Sequence, residues 1–315
     1  MRRVAIQFHA GQREVQEEAN SRPTADLLAS RSKGAEGEIP PRMLAADIVL
    51  LAMLAADGSL TFQAVSGTPP LLQGESSGAI YFPDGLQLPS DNGALAGGIA
   101  IELALRQRSR LNGRLARRDG RLLFSAEETF ANCRKYIAPS MALEAAMHVG
   151  PLERDDIAID DPALALAVAT AETAFVASMA LTGLPDVSHR GGPTGFISLD
   201  ATSRTVRWAE LLGNGMLKTA GNIRATGTTT LLLLDVESGD AYELAGRAEY
   251  RNVMRYDEPR ERPLWPSNQD FPAQGEIVLQ VERVTRLTRL INPRRRLVDE
   301  AKVTSCSPVE DQVPR

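Results

Sequence analysis

Pro185-Asp186-Val187-Ser188-His189-Arg190-Gly191-Gly192-Pro193-Thr194-Gly195-Phe196-Ile197 opens the stretch on which the reading of this chain turns. It runs past Trp208 to Gly213-Asn214-Gly215-Met216-Leu217-Lys218-Thr219-Ala220-Gly221-Asn222 and closes on an apolar strand at 231–235. Two apolar strands bracket a glycine-rich basic turn and a second Gly/Asn-rich segment able to open a helix over 215–224. Such a stretch offers backbone N–H groups that can approach closely, a helix N-terminus and a cation, which together suit a phosphate. Arg190 can give a phosphate paired charge-assisted hydrogen bonds, Ser188 can add a hydroxyl, and Gly191 and Gly192 keep the backbone accessible. On a helix, Lys218 and Asn222 share a face, with Asn214 and Thr219 beside them. The plain alternatives are a Gly-Gly turn next to a solvated arginine and a solvated helix face. A lone histidine such as His189 is more often a packing residue than a catalyst. Trp208 reads as core filling, with stacking on a ring as its alternative.

The order Ser188-His189-Arg190-Gly191-Gly192, Gly195-Phe196-Ile197, Gly213-Asn214-Gly215-Met216, then Gly221-Asn222 before Leu231-Leu232-Leu233-Leu234-Asp235 resembles the FMN-binding pyridoxamine 5'-phosphate oxidase-like family. Within it, the chain is similar to a longer, two-lobed branch. Asn132-Cys133-Arg134-Lys135-Tyr136-Ile137 matches that branch's Asn-Cys-Pro-Lys-Tyr-Ile segment, with Arg134 in place of proline, and Phe8-His9-Ala10-Gly11 matches a Phe-His-x-Gly segment. Relatives more often carry Phe-Asn-Thr-Leu-Gly-Asn where this chain has Leu217 to Asn222, so Lys218 is either a family ligand or a local addition. The resemblance implies FMN as cofactor, held by Ser188, His189, Arg190, Gly191, Gly192, Trp208, Asn214, Lys218, Thr219 and Asn222, with Lys135 reaching the pocket edge from the first lobe. It also implies a homodimer with flavin at the two-fold interface, and hydride or electron transfer involving a small-molecule substrate or electron donor. The alternatives are a non-catalytic flavin-binding or electron-transfer module, or the same fold holding deazaflavin or haem. No catalytic acid or base is assigned.

Composition narrows the field. Of 315 residues, 43% are hydrophobic and 24% charged, which are globular values. A net charge of −5 argues against a general nucleic-acid binder. Cys133, Cys306 and three histidines cannot complete a four-ligand zinc site without carboxylates, so no metal is expected. So few cysteines fit a reducing cytosol. Arg2 and Arg3 precede only Val4-Ala5-Ile6, too short for a signal peptide, and no run of about 18 apolar residues spans a membrane. The expectation is a cytoplasmic protein without membrane or nucleic-acid partners. Arg106, Arg108, Arg110, Arg114, Arg117 and Arg118 read as a solvated strand edge, where positive charge guards against pairing.

Taken in order, residues 1–44 are expected to give a helix over 12–19 and a loop. His9 is read as a surface or capping residue. Residues 45–150 form a first lobe in which no cofactor is expected, 151–255 a second, flavin-binding lobe, and 256–315 a strand and tail. Asp57-Gly58 between apolar runs is a hairpin signal. Strands are expected at 79–82, 86–88, 99–105, 122–124 and 277–284, with helices over 141–148 and, capped by Asp160-Asp161-Pro162, through 174. The second lobe repeats the first: 175–179 with 49–53, 192–195 with 67–70, and 241–247 with 109–114. Only the second repeat has Ser188-His189-Arg190 and the segment 214–222; the first has Ala64-Val65-Ser66. No Gly-x-Gly-x-x-Gly links a strand to a helix, so a dinucleotide fold is unsupported. The fold predicted is β-rich α+β, tandem Greek-key split β-barrels with flanking helices.

Overall fold

The computed structural model describes residues 6–31, 33–34, 41–74, 79–83, 86, 93–103, 107–132, 143–145, 152–213, 215–252 and 273–296. The chain begins with α1 (Ala10–Glu18), α2 (Arg22–Arg31), a short strand β1 (Lys33–Gly34) and one turn of helix, α3 (Pro41–Leu44). The first lobe follows as β2 (Ile48–Leu54), β3 (Leu60–Ser66), β4 (Gln73–Gly74), β5 (Ala79–Phe82), β6 (Ala94–Glu102), β7 (Gln107–Arg118) and β8 (Arg121–Asn132), then β9 (Leu143–Ala145). The second comprises β10 (Glu153–Asp156), α4 (Pro162–Thr170), β11 (Thr173–Met179), β12 (Pro185–Gly191), β13 (Ile197–Asp200), β14 (Thr205–Leu211), α5 (Lys218–Thr226), β15 (Thr228–Leu234), β16 (Ala241–Asn252) and β17 (Ala273–Thr288). A last strand, β18 (Arg294–Arg296), pairs with β9.

Both large sheets are antiparallel and share one topology. The first runs β3-β2-β6-β7-β8-β5-β4 with β1 added to β8; the second runs β12-β11-β15-β16-β17-β14-β13 with β10 added to β17. In each, a meander of consecutive strands receives the strand before it on its far side, a Greek key. The molecule is therefore β-rich α+β, a pair of split-barrel-like lobes.

Local chemistry explains the register. Asp57 accepts hydrogen bonds from the Ser59 amide (3.0 Å) and hydroxyl (2.7 Å) while Gly58 adopts φ +83°, closing the expected hairpin. The unbroken apolar run of β2 is buried on both faces. Val49, Leu51 and Met53 enter the core of their own lobe, while Ile48, Leu50 and Ala52 pack with Phe175, Ala177 and Val187 of the other. One bulge places Glu127 of β8 opposite the Asn112/Gly113 step of β7, and one places Glu282 of β17 opposite the Ala245/Gly246 step of β16. At Gly113 a Cβ would strike the Ser125 carbonyl oxygen, and at Gly246 the Gln280 carbonyl oxygen. The same backbone approach thus selects glycine twice.

Several expectations change. The helix expected over 141–148 is contradicted at its described residues, 143–145, which form a strand. The helix capped by Asp161 stops at Thr170, because Ala171 is extended and the chain enters β11 at Thr173. The polar segment after α1 holds α2, with Pro23 in its first turn. The repeat pairing over 49–53 and 175–179 is one residue out. The hairpins align Leu54↔Leu60 with Met179↔Pro185, which matches Val49 with Ala174 rather than with Phe175. In a strand that slip exchanges the two faces. The turn match of Gly67 with Gly192 is in register, as is Gly113 with Gly246. Residues 87–88, 133–137, 214, the proline-rich segment 253–272 and the tail 297–315 lie outside the described residues. No helix among the described residues is long and apolar enough to cross a membrane.

Candidate functional site

Strand β7 is where the sequence reading was furthest out. Leu111 points into the first lobe's core, so the alternate positions Arg108, Arg110 and Asn112 lie on its other face, and all three are buried. Arg110 is 2% exposed. The expected solvated edge does not exist there, since β7 runs between β6 and β8 and the second lobe covers its outer face. Only further along do Arg114, Arg117 and Arg118 reach solvent; Arg106 lies outside the described residues.

Opposite β7 stands Asp186 of β12, also buried. It takes an ion pair from Arg110 and a hydrogen bond from Asn112 Nδ2 (2.8 Å). Asn112 Nδ2 also donates to Glu128 Oε2 of β8 (2.8 Å), and Glu128 in turn receives Lys218 Nζ from α5 (2.7 Å). Arg190 extends the network within the second lobe, donating to Ser188 Oγ (2.6 Å) and to Glu210 Oε2 of β14 (2.9 Å). The Phe130 ring lies under both the Arg110 guanidinium (4.9 Å) and the Lys218 ammonium (5.6 Å).

Burial dominates the electrostatics. It pulls the Arg110 guanidinium down to about 9, with Arg190 adding to the fall, and leaves it charged at neutral pH. It lowers Lys218 as well, while Glu128 works the other way. His189 is held well below its ordinary value by burial first and by Arg108 and Arg190 second, so its imidazole is neutral at physiological pH.

Within this frame, Ser188, His189, Arg190 and Gly191 occupy β12 and are buried. Gly192 follows, with its α-carbon against the Phe196 ring. His189 sets its edge on Phe175 (5.5 Å), and its Nε2 has no hydrogen-bond partner. Trp208, 2% exposed, fills the core of the second lobe with Val176 and Leu244, and its indole N–H has no partner. Lys218, Thr219 and Asn222 are buried on α5. Lys218 turns to the first lobe. Asn222 instead binds α1: its Oδ1 meets His9 Nε2 (2.9 Å) and Gln12 Nε2 (2.8 Å), and its Nδ2 donates to Ser178 Oγ (3.0 Å). His9 caps α1, its Nδ1 accepting from the Gln12 amide (3.4 Å). The shared helix face therefore serves two different neighbours. Asn214 and Lys135 lie outside the described residues.

The start of α5 is unusual. Its N-cap, Leu217, is left-handed at φ 48° and makes no side-chain cap. Thr219, in the first turn, is fully buried with its hydroxyl unpartnered. Arg110 Nε, Arg190 Nε and Asn112 Oδ1 are likewise buried without partners. Sequence reasoning missed Arg108, Arg110, Asn112, Glu128, Asp186 and Glu210. Arg108-Ser109-Arg110-Leu111-Asn112 carried no signal of this, because polar residues at every second position of an antiparallel strand ordinarily mark its solvated face.

No protein-family model matches the chain, and no curated protein matches it. Solved structures similar to part of it include a variant of HupZ from Group A Streptococcus, 18% identical, covering 40% of this chain and 97% of that one at a TM-score of 0.30. Another is a protein related to general stress protein 26, of the pyridoxinephosphate oxidase family, from Clostridium acetobutylicum (13% identity, 42% and 90% coverage, TM-score 0.30). A third is a pyridoxamine 5'-phosphate oxidase-related, FMN-binding protein from Nostoc punctiforme (12% identity, 43% and 87% coverage, TM-score 0.30). Proteins of the pyridoxamine 5'-phosphate oxidase family are thus among the structures to which this chain is similar.

Proposed function

We propose that this protein binds a flavin, FMN in particular, with the flavin phosphate held where the two lobes meet beside α5, and that it works as an oxidoreductase on a small molecule. The observation that carries this reading is the set of unpartnered buried donors around the uncapped start of α5: Thr219 Oγ1, Arg110 Nε and Arg190 Nε. Arg110, Arg190 and Lys218 gather there, each beside one carboxylate. Cationic side chains with spare N–H and O–H donors fit an anionic phosphate. Arg190, Arg110 and Lys218 supply the positive charge, and Thr219 Oγ1 with the first-turn amides of α5 supplies neutral donors. His189, kept neutral, adds a hydrogen-bonding group without further charge. A left-handed leucine costs about 1–3 kcal/mol, which is in keeping with a backbone set for a ligand. Bound flavin supplies the reversible uptake of hydride or electrons; the chain's own residues anchor, orient and shield.

A second reading has its own observation: Arg110, Arg190 and Lys218 each already hold a carboxylate. On that reading the cluster is a lock between lobes and holds no ligand. Absorbance of the purified protein after reconstitution with FMN separates the two. Under the flavin reading, Arg190→Ala and Arg110→Ala each weaken FMN retention roughly ten- to a hundredfold, the worth of one charged hydrogen bond, and exposed Arg117→Ala changes nothing. Under the lock reading, these variants lower the urea midpoint while flavin uptake is absent throughout.

A further inference from the structure

The contacts between the lobes are reciprocal. Strand β12 packs on β2, β6 and β7, and its counterpart β3 packs on β11, β15 and β16. The hydrophobic cluster at the junction pairs equivalent positions from each side: Leu50 with Phe175, Phe62 with Val187, Ile99 with Leu232. Even a close approach recurs. At Gly97 a Cβ would run into the Pro185 backbone, and at the equivalent Thr230 the hydroxyl donates to Leu60 O (2.7 Å). When surface i meets j and j meets i, the arrangement is that of an isologous dimer. Here both halves belong to one chain.

The two sides of this internal interface differ in charge. The bulge glycines align Arg110 with Glu243 and Glu128 with Arg283, and the hairpins align Asp186 with Thr61. On the far side, Glu243 accepts from the Phe62 amide and from Thr61 Oγ (3.2 Å), and Arg154 reaches over it at 3.2 Å. Its oxygens are all engaged with protein donors. The α5 side has spare donors; the Glu243 side presents a buried carboxylate where the other has a cation.

We infer that the chain is its own dimer partner, working as a single-chain pseudo-dimer in which one interface site admits an anionic ligand and the other is closed by Glu243. The ligand half of this rests on the flavin reading; the single-chain half does not. The experiment is light scattering on the full-length protein with an FMN titration of the same sample. The expected result is the mass of one chain, saturation at one FMN per chain, loss of the bound FMN in Lys218→Met, and its retention in Glu243→Gln. A two-chain particle, two FMN per chain, or flavin lost from Glu243→Gln but kept in Lys218→Met overturns the inference while leaving flavin binding in place. A one-chain particle that takes up no FMN supports the internal interface and sinks the flavin reading alone.

Discussion

Positions that the fold makes equivalent in the two lobes fall into two kinds. Gly113 and Gly246 are the same residue doing the same thing, relieving a bulge against a carbonyl oxygen. Arg110 and Glu243 sit at the same place on equivalent strands, face the opposite lobe in the same way, and carry opposite charge. Phe82 and Trp208 lie between, equivalent core positions filled by different rings. Where backbone geometry decides, the repeats agree; where the interface between lobes decides, they have diverged. Symmetry explains the scaffold, and its failure falls at the proposed site.

The sharpest way to break this comparison is at Asp186 and Thr61. Asp186 is the partner of both Arg110 and Asn112, all three buried. Asp186→Ala leaves a guanidinium inside the protein without its carboxylate, at a cost of about 3–5 kcal/mol. Thr61→Ala removes a single hydroxyl from Glu243, which keeps Arg154 and the Phe62 amide, and costs about 1 kcal/mol. Urea unfolding of both variants measures the difference. Equal losses would mean that the α5 side is no more charge-dependent than the other.

A smaller effect tests the agreement. Gly113→Ala and Gly246→Ala each press a Cβ onto a backbone oxygen of the neighbouring strand, with no flexible side chain to give way. Each should lose about 1–3 kcal/mol, and the two losses should match closely. A large inequality would show that one bulge is held by something beyond the shared fold.

How much of this was legible beforehand follows the same division. Asp57-Gly58, the 79–82 strand and the capped start at Asp161-Pro162 could be read because their causes are local: a turn dipeptide, β-branched and aromatic runs, a carboxylate before proline. The capping role of His9 was equally local. Strand 143–145 was hidden because its partner, β18, lies about 150 positions along the chain. Arginines at 108 and 110 looked solvated because nothing nearby in sequence reveals Asp186, which completes the pair from the other lobe. Ser188, Arg190 and Lys218 could be singled out by type; that each already holds a polar partner could not, since Glu128 and Glu210 are supplied by tertiary packing.

The gentlest probe uses pH, and it tests the second lobe's side, where α1 and α5 clasp each other. Neutral His9 donates through Nε2 to Asn222 and accepts through Nδ1 from the Gln12 amide, so a second proton removes the cap acceptor. Burial lowers its pKa, Lys218 adds to the fall, and Asn222 and Glu128 oppose it. The folded state therefore binds that proton less readily than the unfolded chain, which takes it near 6.5. Stability from His9 is fully present above that value and is lost as pH falls through the folded pKa. His189, buried on β12, acts in the same direction. His9→Asn keeps a capping side chain and removes one titration. The variant should be close to the parent at pH 8 and should lose less stability between pH 7 and 5, with His189 accounting for the remaining slope. An unchanged slope would assign the whole acid sensitivity to the interlobe cluster and leave the α1 clasp as packing alone.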